Sequence, residues 1–246
     1  LNIVSALASQ LEEAFECLDV GPLSEANINT IPADAQGVYL LQLKKKVVYA
    51  GKADDGLRKR LHDHRTKIGG RRNIHLDDMG FKALYVAKNW TALAPETMMI
   101  AHYRALGLAE WNGTGFGIHD PGRERETTAK PPAGFDAKYP IRDDWPCDWI
   151  DAGDWTAANL LAALKKGLPY LLRYETERTR GSKVKASDYA AKVAVPSPGM
   201  PARELLKLIA RALAGFQATV FPSHMILYRE KRDYSAAEGK IIWPVK

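Results

Sequence analysis

Two hydrophobic periods alternate along the chain. Over residues 3–18 (IVSALASQLEEAFECL) apolar residues return at intervals of three and four, with acids on the other side. That spacing predicts an amphipathic helix suited to act as a lid or to pack a dimer. Gly, Pro and Asn punctuate residues 21–36, which predicts a loop. Residues 37–51 (GVYLLQLKKKVVYAG) hold two short β-prone runs split by three lysines, the pattern of a hairpin. A helix over 55–66, a strand over 81–87 (FKALYVA) and a helix over 95–106 follow, the last with Pro95 at its start and Gly107 beyond its end. The order is β-β-α-β-α. Residues 112–146, rich in Gly, Pro and charge, predict a long loop that is either functional or a linker.

The pattern then restarts. Asp154 is placed as the cap of a helix over WTAANLLAALKK that Gly167 closes, and a strand-like PYLLRYE follows. After a basic stretch from Arg178 to Lys185 come a strand-like KVAV, a helix from Pro201 to Ala214 and two strands ending near Tyr228. The expected class is α+β: a small antiparallel or mixed sheet flanked by helices, joined to a second domain of α/β type. The expected division is an N-terminal helix and loop over 1–36, a core domain with a loop extension over 37–150, and a basic domain over 151–246. Trp145, Trp149 and Trp155 cluster where the domains would meet, and packing there is expected of them.

With 46% hydrophobic and 26% charged residues, the composition is that of a folded chain. Nothing reads as a signal peptide, and no apolar run approaches the roughly 20 residues that a membrane span needs. Cys17 and Cys147 stand far apart with no Cys or His grouping, which predicts neither a disulfide framework nor structural zinc and fits a reducing cytoplasm. Charge adds a polarity to the chain. Residues 1–34 carry six acids and no Lys or Arg, residues 35–150 carry 19 bases and 14 acids, and residues 151–246 carry 16 bases and 9 acids. A surplus of +7 in the last segment would attract a polyanion by counterion release, and nucleic acid is the leading partner.

Several polar residues occupy positions that the hydrophobic pattern reserves for the interior. With the hairpin centred on Lys44–Lys46, Tyr39 and Tyr49 share one face as diagonal neighbours. They either pack a core edge or present two hydroxyls side by side. On the next helix, Arg60 and His64 share the stripe of Leu57 and Leu61. A half-buried guanidinium needs an anion, either an internal acid or a ligand such as a phosphate. Glu96 shares its stripe with Met99, Ile100 and Tyr103; its carboxylate either holds a hard divalent cation or complements the helix N-terminus.

These residues resemble a known family. GVY, nine residues, YAG, then K-A and LRKRL is similar to the signature of the GIY-YIG nucleases, with Val38 and Ala50 in place of the two isoleucines. His64 four residues after Arg60, together with WNGTGFGIHDPGRER, resembles the GIY-YIG Type II restriction endonucleases that cut CCGCGG, over roughly residues 1–125. The recognition sequence is not carried over, because the chain after 151 has no counterpart in that resemblance. The resemblance implies a sequence-specific double-stranded DNA endonuclease with one magnesium or manganese ion per site, held by Glu96. It also implies catalytic roles for Tyr39, Tyr49, Arg60, His64, Glu96 and Asn112. Tyr39 would be the base, His64 would take or relay its proton, Tyr49 would bind the phosphate, and Arg60 would neutralise it. Asn112 would orient the site or simply form a turn, and Lys52 would touch phosphate or stay solvated. DNA contacts are expected from Arg123, Arg125, Arg178, Arg180, Lys183 and Lys185, mostly to phosphates. Cutting both strands with one site per chain implies a homodimer on DNA. The alternatives are a repair or mobile-element nuclease with the same module, or a non-cleaving DNA-binding protein with a degenerate core.

Overall fold

The computed structural model describes residues 3–54, 56–86, 95–116, 126–127, 133–179, 182 and 184–245, without the side chains of 3–8 and 95–98. Packing divides the chain into two units, Leu1–Gly69 with Asn73–Ile118, and Gly70–Arg72 with His119–Lys246. Residues 133–150, read from sequence as an extension of the core domain, pack with the second unit.

The first unit runs α1 (Ile3–Glu16), β1 (Gly21–Pro22), α2 (Glu25–Asn29), β2 (Gly37–Leu43), β3 (Lys46–Ala53), α3 (Leu57–Gly69), β4 (Met79–Tyr85) and α4 (Pro95–Ala105). Its sheet has the order β1-β4-β2-β3 and every pairing is antiparallel. The predicted β-β-α-β-α order is present over β2 to α4. Two short elements lie where the sequence predicts only loop. Helix α2 is five residues long, with the Ser24 hydroxyl accepting from the Asn27 N–H at 3.2 Å as its cap. The two residues of β1 pair with β4. Neither is long enough to display a hydrophobic period.

Strand alternation gives this sheet two different faces. Val38, Leu40 and Ala50 pack against Leu11 and Phe15 of α1 and Met99 and Tyr103 of α4. Tyr39 and Tyr49 point the other way, toward His64 of α3. Leu57, Leu61, His64 and Ile68 are the buried stripe of α3, as their spacing predicts.

The hairpin reaches its register by an indirect route. Leu43 pairs with Lys46, so Lys44 and Lys45 alone form the turn, with φ of 50° and 68°. Those are the left-handed values of a two-residue hairpin turn. Continued without interruption, that register would oppose Tyr39 to Ala50 and place the two tyrosines on opposite faces. Val48 is an extra residue between the pairs Gln42↔Val47 and Leu41↔Tyr49, and it shifts the register by one. Tyr39 then opposes Gly51, and Tyr49 stands on the same face, diagonal to it.

The second unit contains α5 (Phe135–Lys138), β5 (Gly153–Thr156), α6 (Ala157–Gly167), β6 (Leu171–Tyr174), β7 (Lys192–Val195), α7 (Ala202–Ala212), β8 (Gln217–Val220), β9 (His224–Tyr228) and β10 (Lys240–Trp243). A mixed sheet runs β10-β8-β9-β6, with β6 parallel to β9, and β5 pairs with β7. Leu160, Leu161 and Leu164 of α6 and Leu205, Leu206 and Ile209 of α7 form a core with Leu172, Ala218, Met225 and Leu227 of the sheet. Trp145 and Trp155 pack on this core, and Trp149 lies against Gly167 of the same unit. The cap of α6 differs from expectation. Asp154 lies within β5, and the Thr156 hydroxyl is the cap, accepting from the Asn159 N–H at 3.2 Å. Strand β10, absent from the sequence reading, closes the sheet edge beside β8.

Candidate active site

Three elements bring Tyr39, Tyr49, Arg60 and His64 together. The Tyr39 hydroxyl lies 2.7 Å from His64 Nε2, and Arg60 Nε donates to the same oxygen at 3.2 Å. The Tyr39 oxygen therefore accepts from Arg60 and shares a second hydrogen bond with His64 Nε2, whose direction follows the imidazole tautomer. The Tyr39 and Tyr49 rings are 6.1 Å apart, and Tyr49 meets His64 edge-on at 5.3 Å. His64 is 2% exposed. Burial holds its pKa well below the usual 6.5, and the charges of Arg60 and Lys67 push it further the same way. The ring is therefore neutral at pH 7. Burial works against the Arg60 charge, yet Tyr39 and Tyr49 outweigh that cost and raise its pKa.

The floor of this cluster requires glycine. A Cβ on Gly51 would stand 2.5 Å from the Tyr39 hydroxyl oxygen and 2.8 Å from a Tyr49 ring carbon. Its signal in the sequence is the last letter of YAG, to which the sequence reading assigns no role. Two more neighbours were equally unassigned. Phe116 stacks on His64 with ring centres 4.8 Å apart and planes at 19°, and Trp111 backs Phe116 at 4.8 Å. Lys67, one turn after His64, donates to the carbonyls of Phe116 at 2.6 Å and Gly115 at 3.3 Å and so ties that segment down over α3.

Asn112 is buried and acts on backbone. Its Oδ1 accepts from the Ala50 N–H at 3.0 Å and its Nδ2 donates to the Ala50 carbonyl at 2.8 Å. Strand β3 is a sheet edge, and this amide pairs the groups that the edge leaves open. The Ala109 and Trp111 N–H groups, bonded to the carbonyls of Val47 and Val48, extend the same cover. Lys52 is not brought to the tyrosines. It belongs to the other sheet face by alternation and pairs with Asp54 at 2.6 Å. The Glu96 side chain lies outside the described residues, as do Arg123, Arg125, Arg180 and Lys183. Arg178 and Lys185 are exposed in the second unit and line one cavity there.

Residues 40–143 match the family model of the Eco29kI GIY-YIG domain. The chain carries a GIY-YIG nuclease domain. A comparison with curated proteins gives no match. The matched span begins one residue after Tyr39 and takes in Tyr49, Arg60, His64, Glu96 and Asn112. It places the GIY-YIG domain with Type II restriction endonucleases of that family, whose reaction is the hydrolysis of DNA. Among the described residues no group of three or more His, Cys, Asp or Glu side chains is placed to hold a metal ion, and no described helix is long and apolar enough to cross a membrane.

Proposed function

We propose that the chain is a sequence-specific, double-strand DNA endonuclease of Type II restriction character, acting as a homodimer with one divalent cation per site. The observation that carries this reading is the Tyr39 hydroxyl held between Arg60 Nε and His64 Nε2. Tyr39, with its proton passed to His64 Nε2, takes a proton from the attacking water as the water oxygen bonds to phosphorus. His64 starts neutral, so one ring nitrogen is open to a proton, while burial and the charges of Arg60 and Lys67 keep the protonated ring short-lived. The fixed charge of Arg60 stabilises negative charge on the Tyr39 oxygen and on the non-bridging oxygens of the phosphate, where a planar multi-donor cation is better than an ammonium. The bond from phosphorus to the leaving oxygen then breaks, and that oxygen takes a proton from water. Tyr49 hydrogen-bonds the phosphate beside Arg60. Asn112 acts as a positioning residue, through Ala50 on strand β3.

The donors this reading assigns, the Glu96 carboxylate and phenolic oxygens, are hard oxygen ligands and fit magnesium or manganese better than a thiophilic ion. Glu96 would hold such an ion, which would supply Lewis-acid stabilisation of the leaving oxygen. Phosphate contacts are assigned to Arg123, Arg125, Arg178, Arg180, Lys183 and Lys185. The free thiols of Cys17 and Cys147 fit a cytoplasmic setting. The test is cleavage of plasmid DNA with magnesium by the wild type beside Arg60→Ala and Glu96→Ala. Cutting by the wild type alone is expected. Equal cutting by all three overturns the reading, and binding without cleavage in any divalent metal returns the chain to a DNA-binding role.

A further inference from the structure

The second unit holds a cavity of about 460 Å³ lined by Ala158, Tyr174, Thr176, Glu177, Arg178, Lys185, Ala186 and Tyr189. Its wall and its rim differ in chemistry. Tyr174, half-buried at the end of β6, is braced by Tyr189, whose ring meets it edge-on at 5.9 Å. The Tyr189 hydroxyl donates to the Glu175 carbonyl at 2.6 Å, so this second ring is anchored from below. The Lys165 ammonium lies 5.5 Å from the centre of the Tyr174 ring and fixes it further. The result is an aromatic platform held at its edge and rear.

The rim is cationic. Arg178 and Lys185 are exposed, and neither makes a salt bridge among the described residues. The one carboxylate on the wall, Glu177, is already engaged by the Ala186 N–H at 2.6 Å. A volume of this order suits a small organic ligand rather than an ion or a peptide. A flat aromatic wall beneath two exposed cations that no described salt bridge ties down, with Asp188 beside Lys185, selects a flat aromatic group that carries negative charge next to it.

We propose that this cavity binds a single unstacked nucleotide of the DNA substrate, its base on Tyr174 and its phosphates against Arg178 and Lys185. The proposal deepens the endonuclease reading and rests on DNA being the substrate. A base stacked inside a duplex cannot reach such a wall, so the nucleotide must be lifted out or come from a separated strand. Stacking on an aromatic side chain tolerates any base, which makes the site a sensor of unstacking rather than a reader of sequence.

The test uses the full chain with calcium replacing magnesium to prevent cleavage, and two labelled ligands, a short single-stranded oligothymidylate and an abasic strand of the same length. Fluorescence anisotropy is expected to show the wild type binding the oligothymidylate about 5- to 100-fold more tightly than the abasic strand. Tyr174→Leu, which keeps the apolar volume, should erase that preference, and Tyr174→Phe should retain it. Arg178→Ala and Lys185→Ala should weaken both ligands alike. The proposal is overturned if the wild type binds both strands equally, or if Tyr174→Leu keeps the preference with an unchanged melting curve. Should Tyr174→Leu unfold, the abasic comparison and Tyr174→Phe still decide. Failure of the endonuclease reading shows elsewhere, as plasmid left intact by the wild type.

Discussion

At the scale of single residues, the site is crowded by design of its backbone, and Gly51 is where that crowding is sharpest. A methyl group there would overlap both tyrosines, so Gly51→Ala must turn one ring away from Arg60 or bend β3. We expect a loss of cleavage rate of at least about tenfold, a misplacement of the reacting groups of the kind that costs that much or more, with binding to the same DNA in calcium nearly unchanged. Loss of binding alone would contradict it. His64 makes a second prediction through linkage. Its folded pKa is depressed, so above pH 6.5 both folded and unfolded chains carry a neutral ring and no stability is lost. As pH falls below 6.5 the unfolded chain takes up a proton that the folded site resists, and stability declines toward the folded pKa, by up to about 1.4 kcal/mol per pH unit. Urea denaturation at pH 8 and pH 5 should therefore show a smaller acid-dependent loss for His64→Gln than for the wild type. Identical losses would mean that His64 titrates as it does in water.

At the scale of elements, the hairpin joins the residues to the fold. Lys45 has φ of 68°, a conformation that costs a side-chain-bearing residue about 1–2 kcal/mol and glycine nothing comparable. After allowance for the greater freedom of glycine in the unfolded chain, Lys45→Gly should stabilise the protein by about 0.5–1 kcal/mol in urea titrations. Destabilisation would indicate a turn of another geometry. The segment 109–116 is a run of turns laid along the edge of β3 and ends on Phe116 against His64. Phe116→Ala should open the imidazole to water and lower the single-turnover cleavage rate, and Phe116→Tyr should restore it; a rate unchanged in Phe116→Ala would remove this cover from the mechanism. Much of this level is legible from pattern. The apolar stripe of α3 locates Arg60 and His64 on a buried face, because a thirteen-residue helix repeats its period often enough to be read. The bulge at Val48 has no such signal: the same string of residues allows either register, and only packing on both faces of the sheet selects one. The segment 109–116 is equally silent, since its order comes from the open edge of β3 and from Lys67, not from a period of its own.

At the scale of the whole molecule, motif and topology part company. The family match covers residues 40–143, and the spacing of GVY, YAG and LRKRL is visible without a structure because those residues hold fixed places on adjacent elements. The mixed sheet of the second unit is not, since β6 finds its parallel partner β9 some fifty residues later, and four-residue strands carry too little pattern to name their neighbours. One consequence of the motif reaches the assembly. Each chain supplies one Tyr39, one Arg60 and one His64, whereas the two strands of a duplex run in opposite directions and are met at once, in the same way, only by two sites related by a twofold axis. If the active species is a homodimer, mixing wild type with an excess of Arg60→Ala produces mainly heterodimers with a single working site. Supercoiled plasmid should then pass to the nicked circle and stop there, whereas wild type alone should carry it to the linear form. If the excess variant only dilutes the activity, with linear product still dominant, each chain cuts both strands by itself in succession and the dimer is not the catalytic unit.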